Sequence, residues 1–207
     1  MYKTIIGKKI GMTNYFCDDG SVIPVTVCEL GPCTIIQKKT VVTDGYSAIK
    51  LGYMNAKESS FTKPILQDFK NKNLPQKKIL SEINHFDTKL DIGDEIRCEI
   101  FDEGDIVTVT GISKGKGYTG VVKKYGFKGG KKTHGSNFHR SPGAIGNCAY
   151  PGEIWKGQKM PGRHGNKKIT IKNLKIMKII KEKNIVLISG SIPGKTNSII
   201  RVKAKAT

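Results

Sequence analysis

The stretch DIVTVTGISKGKGYTG, residues 105–120, decides how this chain is built. Its first half, Ile106 to Thr110, is β-branched throughout and favours an extended strand. Its second half has no apolar run: Gly115, Gly117 and Gly120 are interleaved with Lys114 and Lys116. A core strand therefore runs directly into a segment too poor in apolar surface to offset its own ordering entropy, and we expect a partner to order it. That segment extends from Ser113 to Lys168 and holds 13 of the 24 glycines, with Pro-Gly dipeptides at 142, 151 and 161. So long a loop inside one domain is expected only where it is functional.

Outward from this stretch, strand signals lie on both sides. Upstream, β-branched runs occur at Tyr2 to Ile6, Val22 to Leu30, Thr34 to Lys38 and Tyr46 to Tyr53, separated by Asp19-Gly20, Gly31-Pro32 and Asp44-Gly45 turns. Asp94 to Phe101 and Asp105 to Ile112 follow, then Ile169 to Ile180, Asn184 to Ser189 and Ser198 to Val202. The pattern predicts a mainly β fold, a meander or barrel, as a single domain over residues 1–207. Residues 55–90 break it: Lys63 to Lys72 and Gln76 to Phe86 are polar, weakly helical and interrupted by Pro64 and Pro75, so they read as a partly helical insertion. The basic loop occupies residues 113–168.

Charge is distributed as unevenly as glycine. Between Ile106 and Lys181 there are 17 lysines and arginines and one carboxylate, Glu153. Of the net charge of +19, this stretch supplies +16 and the flanks together +3. Such a field suits a polyanion: nucleic acid, an anionic membrane surface or an acidic protein. It does not suit proton-transfer catalysis, which needs carboxylates beside its histidines.

With 207 residues and 37% hydrophobic content, the chain supports a modest core. The five cysteines are an odd number with no Cys-x-x-Cys pair, which indicates a reduced, intracellular protein and argues against zinc. Residues 1–25 do not resemble a signal peptide, and no apolar run approaches the ~18 residues that span a bilayer.

Two glycine motifs suggest nucleotide chemistry. Gly115 to Gly120 matches G-x-G-x-x-G, but no acid follows between Asp105 and Glu153 to hold a ribose, so the glycines are better read as allowing backbone to approach phosphates. Gly190 to Thr196 ends like a P-loop, but Pro193 removes a cradle donor, and we expect a hairpin turn between the last two strands. His134, His139 and His164 have no carboxylate or thiol at ligand spacing, and Lys131 and Lys132 would repel a cation. Phosphate or base contacts suit them better. Tyr118, Tyr125, Phe127, Phe138, Tyr150 and Trp155 alternate with the cations, as in surfaces on which bases stack, although Tyr125 and Phe127 equally suit packing at the loop's base. Against a membrane role, the segment lacks an apolar helical stripe; against DNA, it offers no recognition helix, which leaves a minor-groove arm as the remaining DNA reading.

Gly7-Lys8-Lys9-Ile10-Gly11-Met12-Thr13, Pro24 to Val27, Thr110 to Gly117, His134-Gly135-Ser136, His139-Arg140, Pro142-Gly143, Pro151-Gly152, Lys156 to Met160 and Val186 to Gly194 resemble the bacterial-type form of universal large-subunit ribosomal protein number three. The resemblance covers essentially the whole chain. It implies a translation-factor-like β-barrel with a long finger passing through large-subunit (23S-type) rRNA toward the peptidyl transferase centre, early binding near the RNA's 3′ end, and no chemistry of its own. It places Lys114, Lys116, Lys123, Lys124, Lys128, His134, His139 and Arg140 on the outgoing limb. Asn147 to Trp155, including Tyr150, fall near the tip, and Lys156, Lys159, Arg163 and Lys167 on the return. Lys8, Lys9, Lys131, Lys132, His164 and Lys168 complete the expected rRNA-binding set. Neighbours from ribosomal protein families fourteen and nineteen are implied, in a cytoplasmic or organellar ribosome, with no membrane, metal, cofactor or small-molecule substrate. Several bacterial relatives carry a glutamine, methylated in some, before the tip's Pro-Gly; Ala149 and Tyr150 stand there instead.

Overall fold

The computed structural model describes residues 3–84 and 90–204. Two compact units are present: residues 1–112 with 168–207, and Ser113–Lys167.

The first unit is built on a closed six-stranded barrel. Its strands are β1 (Thr4–Phe16), β2 (Val22–Leu30), β7 (Ile106–Ile112), β10 (Lys168–Ile180), β11 (Ile185–Ser189) and β12 (Ile199–Ala204). They run antiparallel in the order β1-β12-β7-β10-β11-β2, with β2 pairing back onto β1. Closure satisfies the strand edges that an open sheet leaves exposed. Alternation works as the β-branched runs require: Val107 and Val109 point inward, with Ile176, Val186, Ile188, Ile200 and Val202 from the neighbouring strands, all essentially inaccessible. Burial of each such side chain contributes about 1.5–3 kcal/mol. The barrel thus joins strands from the two ends of the chain and from both flanks of the basic segment. Gly7 sits where β1 crosses β2 so closely that a Cβ would lie 2.2 Å from the Glu29 carbonyl oxygen.

Beside the barrel in the same unit lies a four-stranded sheet of β3 (Cys33–Lys39), β4 (Ala48–Asn55), β5 (Lys77–Asn84) and β6 (Glu95–Ile96), in the order β5-β4-β3-β6. Cys33, Ile35, Leu51, Tyr53 and Ile96 join the barrel residues in one hydrophobic cluster. The Asp44-Gly45 turn closes a one-turn helix, α1 (Val41–Asp44), with Gly45 left-handed at φ 80°. The expected helix in the insertion is α2 (Lys63–Asn71), which carries Pro64 in its first turn and buries Phe69.

Three expectations are corrected. Lys77–Asn84 is not helical; it pairs along β4 from Ala48 to Asn55, because Lys77 turns its stem inward and its ammonium finds Asn55 Oδ1 at 2.8 Å. The expected 76–86 element also reaches residues 85 and 86, and the expected first strand reaches Tyr2, both outside the described residues. Asp94 to Phe101 is a strand only at β6, after which Cys98–Ile100 forms a 3-10 turn. Cys98 and Phe101 are both buried, and a 3-10 turn brings residues three apart to one side where a strand would separate them. Finally, residues 190–198 do not form a hairpin: β11 pairs with β10 and β2, whereas β12 pairs with β1 and β7, so this connection crosses the barrel's end and buries Ile192 there.

Candidate nucleic-acid interface

The second unit, Ser113–Lys167, is held by its own backbone. Ser113 N–H donates to the Lys167 carbonyl (2.9 Å), Lys116 to His164 (2.9 Å) and His164 to Gly117 (2.9 Å). The ladder ends in a two-residue pair, β8 (Tyr118–Thr119) with β9 (Gly162–Arg163). The outgoing and returning limbs are therefore antiparallel neighbours, which sets Tyr118 opposite Arg163 and Lys116 beside His164. After Gly120 comes a five-residue helix, α3 (Val121–Tyr125), closed by a left-handed Gly126. A helix does follow the G-x-G-x-x-G run, but it is a single turn leading into irregular chain, and among the described residues no parallel strand returns from it to make a dinucleotide fold.

The cations of this unit face solvent. Lys114, Lys116, Lys123, Lys128, Lys131, Lys132, Arg140, Lys156, Lys159, Arg163 and Lys167 are exposed, as are His134, His139 and Asn147, with Lys124 and His164 half-buried. Every ion pair among the described residues belongs to the first unit, so these cations are uncompensated by protein carboxylates. Three rings stand open beside them: Tyr118 at 78%, Tyr150 at 91% and Trp155 at 64% exposure. Tyr125 and Phe127 pack on each other with centroids 6.2 Å apart, and the ammoniums of Lys124 and Lys159 lie 5.0 and 5.8 Å from the Tyr125 centroid. Of their two expected roles, packing is the one the structure displays. Lys124 on the outgoing limb and Lys159 on the return are thereby gathered around one ring.

Sequence spacing does not reveal that Lys128, Lys132, His139 and Arg140 converge. With Gly130 and Val122 they line a cleft of about 550 Å³. The convergence depends on Gly129 and Gly130. A Cβ at either position would meet the carbonyl oxygen of His139 at 2.2 Å or of Phe138 at 2.3 Å, so only glycine lets these two strips of backbone touch. The available signal is the Gly-Gly pair itself, flanked by lysines. Glu153, the single acid, shares a smaller hollow of about 260 Å³ with Asn147, between Ile145 and Ile154.

The expected residues of the barrel unit behave differently. Lys8 is half-buried and paired with Glu29 at 3.0 Å. Lys9 differs from the other expected cations: it is 8% exposed, and its ammonium donates to the Ile192 carbonyl. Lys168 is exposed at the start of β10, and Lys172, Lys175 and Lys178 on the same strand are exposed too. Those three were legible only as part of the overall charge of residues 106–181. Among the described residues no three His, Cys, Asp or Glu side chains converge to hold a metal ion, and no helix is long and apolar enough to cross a membrane.

A closed antiparallel barrel carrying a separate polycationic, glycine-shaped unit with open aromatic rings has the character of a polyanion-binding protein. Comparison with known proteins narrows the class. A family model for ribosomal protein L3 matches residues 76–185. The large ribosomal subunit protein uL3 of Syntrophus aciditrophicus (strain SB) is 47% identical over 207 residues, covering 100% of this chain and 95% of the relative. The large ribosomal subunit protein uL3 of Geobacter sulfurreducens is 44% identical over 204 residues, covering 98% and 97%. The chain belongs to the ribosomal protein L3 family.

Proposed function

We propose that this protein is a structural constituent of the large ribosomal subunit, that it binds 23S-type rRNA directly through Ser113–Lys167, and that it performs no catalysis. The observation that carries the reading is the 12-to-1 ratio of cations to acids in this unit, with the cations solvent-facing and without protein counter-charges. Folded RNA crowds phosphates together, and fixed cations release the counterions that would otherwise screen them. Glycine lets backbone approach the phosphates, while Tyr118, Tyr150 and Trp155 offer faces to unpaired bases. Lys168, with Lys172, Lys175 and Lys178 on β10, adds four exposed cations on the barrel unit.

The family resemblance supports the finer features: early assembly near the 3′ end of the RNA, residues 147–155 directed toward the peptidyl transferase centre, neighbouring proteins of families fourteen and nineteen, and work in a cytoplasmic ribosome. Sedimentation tests the reading. An epitope-tagged chain expressed in cells should migrate with the large subunit and remain there through a moderate-salt wash. Migration with free protein, or release at low salt, would contradict it.

A further inference from the structure

One part of the molecule has the opposite character to its basic unit. Between Lys9 and Lys38 the sequence contains no lysine or arginine, although the chain holds 36. Within that stretch β1 and β2 continue past the barrel as a two-stranded ribbon. Pairing of β1 with β12 ends at Lys8↔Ile199, whereas pairing with β2 runs on to Phe16↔Val22. Among the described residues, no strand covers the outer edge of Gly11–Phe16. That edge is about 20 Å long at roughly 3.4 Å per residue.

The ribbon's two faces differ. Cross-strand pairing and alternation put Met12, Asn14, Phe16, Val22 and Pro24 on one face, and all five are exposed. Phe16 is 72%, Val22 52% and Met12 51% accessible. The other face carries Tyr15 and Ile23, both half-buried. At the tip the Cys17–Ser21 turn presents Asp18 and Asp19 to solvent, and neither is in an ion pair. An apolar strip with an open strand edge is a surface for strand addition. Two carboxylates and the absence of any cation exclude a phosphate backbone as its ligand and favour a positively charged one. A second copy of this chain is disfavoured because two bodies of +19 each repel one another, whereas a basic segment of another protein brings its charge to the acidic tip alone.

We propose that the Gly11–Pro24 ribbon is a protein-docking surface whose occupant is a basic segment of a different protein, laid along the open edge of β1 with apolar side chains over Phe16, Val22 and Met12. The residues of this surface are not among the proposed rRNA contacts of Ser113–Lys167, and the two readings are tested separately. Phe16→p-benzoylphenylalanine, in the full chain in living cells, is photo-cross-linked in parallel with the same substitution at Lys123. At position 16 we expect a ribonuclease-resistant adduct with a protein whose cross-linked peptide, identified by mass spectrometry, carries net positive charge. Asp18→Lys with Asp19→Lys should lower its yield about fivefold, as loss of rim charge complementarity does, without changing the melting temperature. An RNA adduct, an adduct with a second copy, no adduct, or a yield indifferent to the charge reversal would each overturn the proposal. Cross-linking at Lys123 reports on the rRNA reading alone, so a failure there leaves the result at position 16 to decide for itself.

Discussion

Lys9 donates its ammonium to the main-chain carbonyl of Ile192 across 3.0 Å, beneath the connection that crosses the barrel's end between β11 and β12. A lysine drawn from the middle of a basic-looking motif thus serves the fold. Lys9→Ala leaves that buried carbonyl without this donor and removes the packed stem, at a cost of about 1–3 kcal/mol. Calorimetry should show the melting temperature lowered by several degrees, while the salt dependence of RNA binding stays that of the unaltered chain.

The opposite separation is expected in the basic unit. Lys114, Lys116, Lys123 and Lys124 lie outside the barrel, and replacing all four with alanine should leave its melting transition in place. If each neutralises one phosphate, filter binding to large-subunit rRNA fragments should show the log–log salt slope falling by about 3, at roughly 0.7 per contact. An unfolded variant would make these lysines structural.

Shape can be tested without touching charge. Gly129→Ala with Gly130→Ala forces methyl groups to within 2.2–2.3 Å of the His139 and Phe138 carbonyl oxygens. The backbone strips must part, and Lys128, Lys132, His139 and Arg140 lose their common cleft. We expect rRNA affinity to drop about tenfold at fixed salt, which at 1.4 kcal/mol corresponds to one well-placed charged contact. Undiminished affinity would mean that these cations act independently.

The thiols divide by burial. Desolvation pushes Cys28 and Cys33 up to about 12, from an ordinary value of 9.0, and raises Cys98 as well. Alkylation of the native protein at pH 8 should therefore label exposed Cys148 first and half-buried Cys17 next, sparing the other three. Sign follows from linkage: between about 9 and 12 the unfolded chain loses thiol protons that the folded chain retains. Stability is then unaffected by these groups below pH 9 and declines as pH rises toward 12, which denaturant titration at stepped alkaline pH can follow.

The barrel was largely legible because its strands are β-branched and punctuated by turns, and the basic unit because glycine and lysine replace apolar residues abruptly at Ser113. What stayed hidden depends on long-range pairing. Nothing local shows that β3 and β4 leave the barrel for a second sheet, or that β12 bypasses β11 to lie between β1 and β7. Lys77–Asn84 hid as a strand because one of its two buried positions is a lysine, whose stem is buried while its head finds Asn55. Lys9 hid because the Ile192 carbonyl that takes its ammonium lies 183 residues further along the chain. The cleft cations were each recognisable, but their convergence rests on backbone contacts between residues eight and ten apart, invisible in composition.

Whether Ser113–Lys167 lies within large-subunit rRNA can be read from its own Cys148, which is exposed. In a Cys17→Ser background, an iron–EDTA reagent tethered at Cys148 would generate hydroxyl radicals inside the assembled subunit. The expected result is rRNA cleavage clustered around the peptidyl transferase centre. A chain that sediments with the subunit but yields no cleavage there, or cleavage confined to the subunit surface, would contradict it.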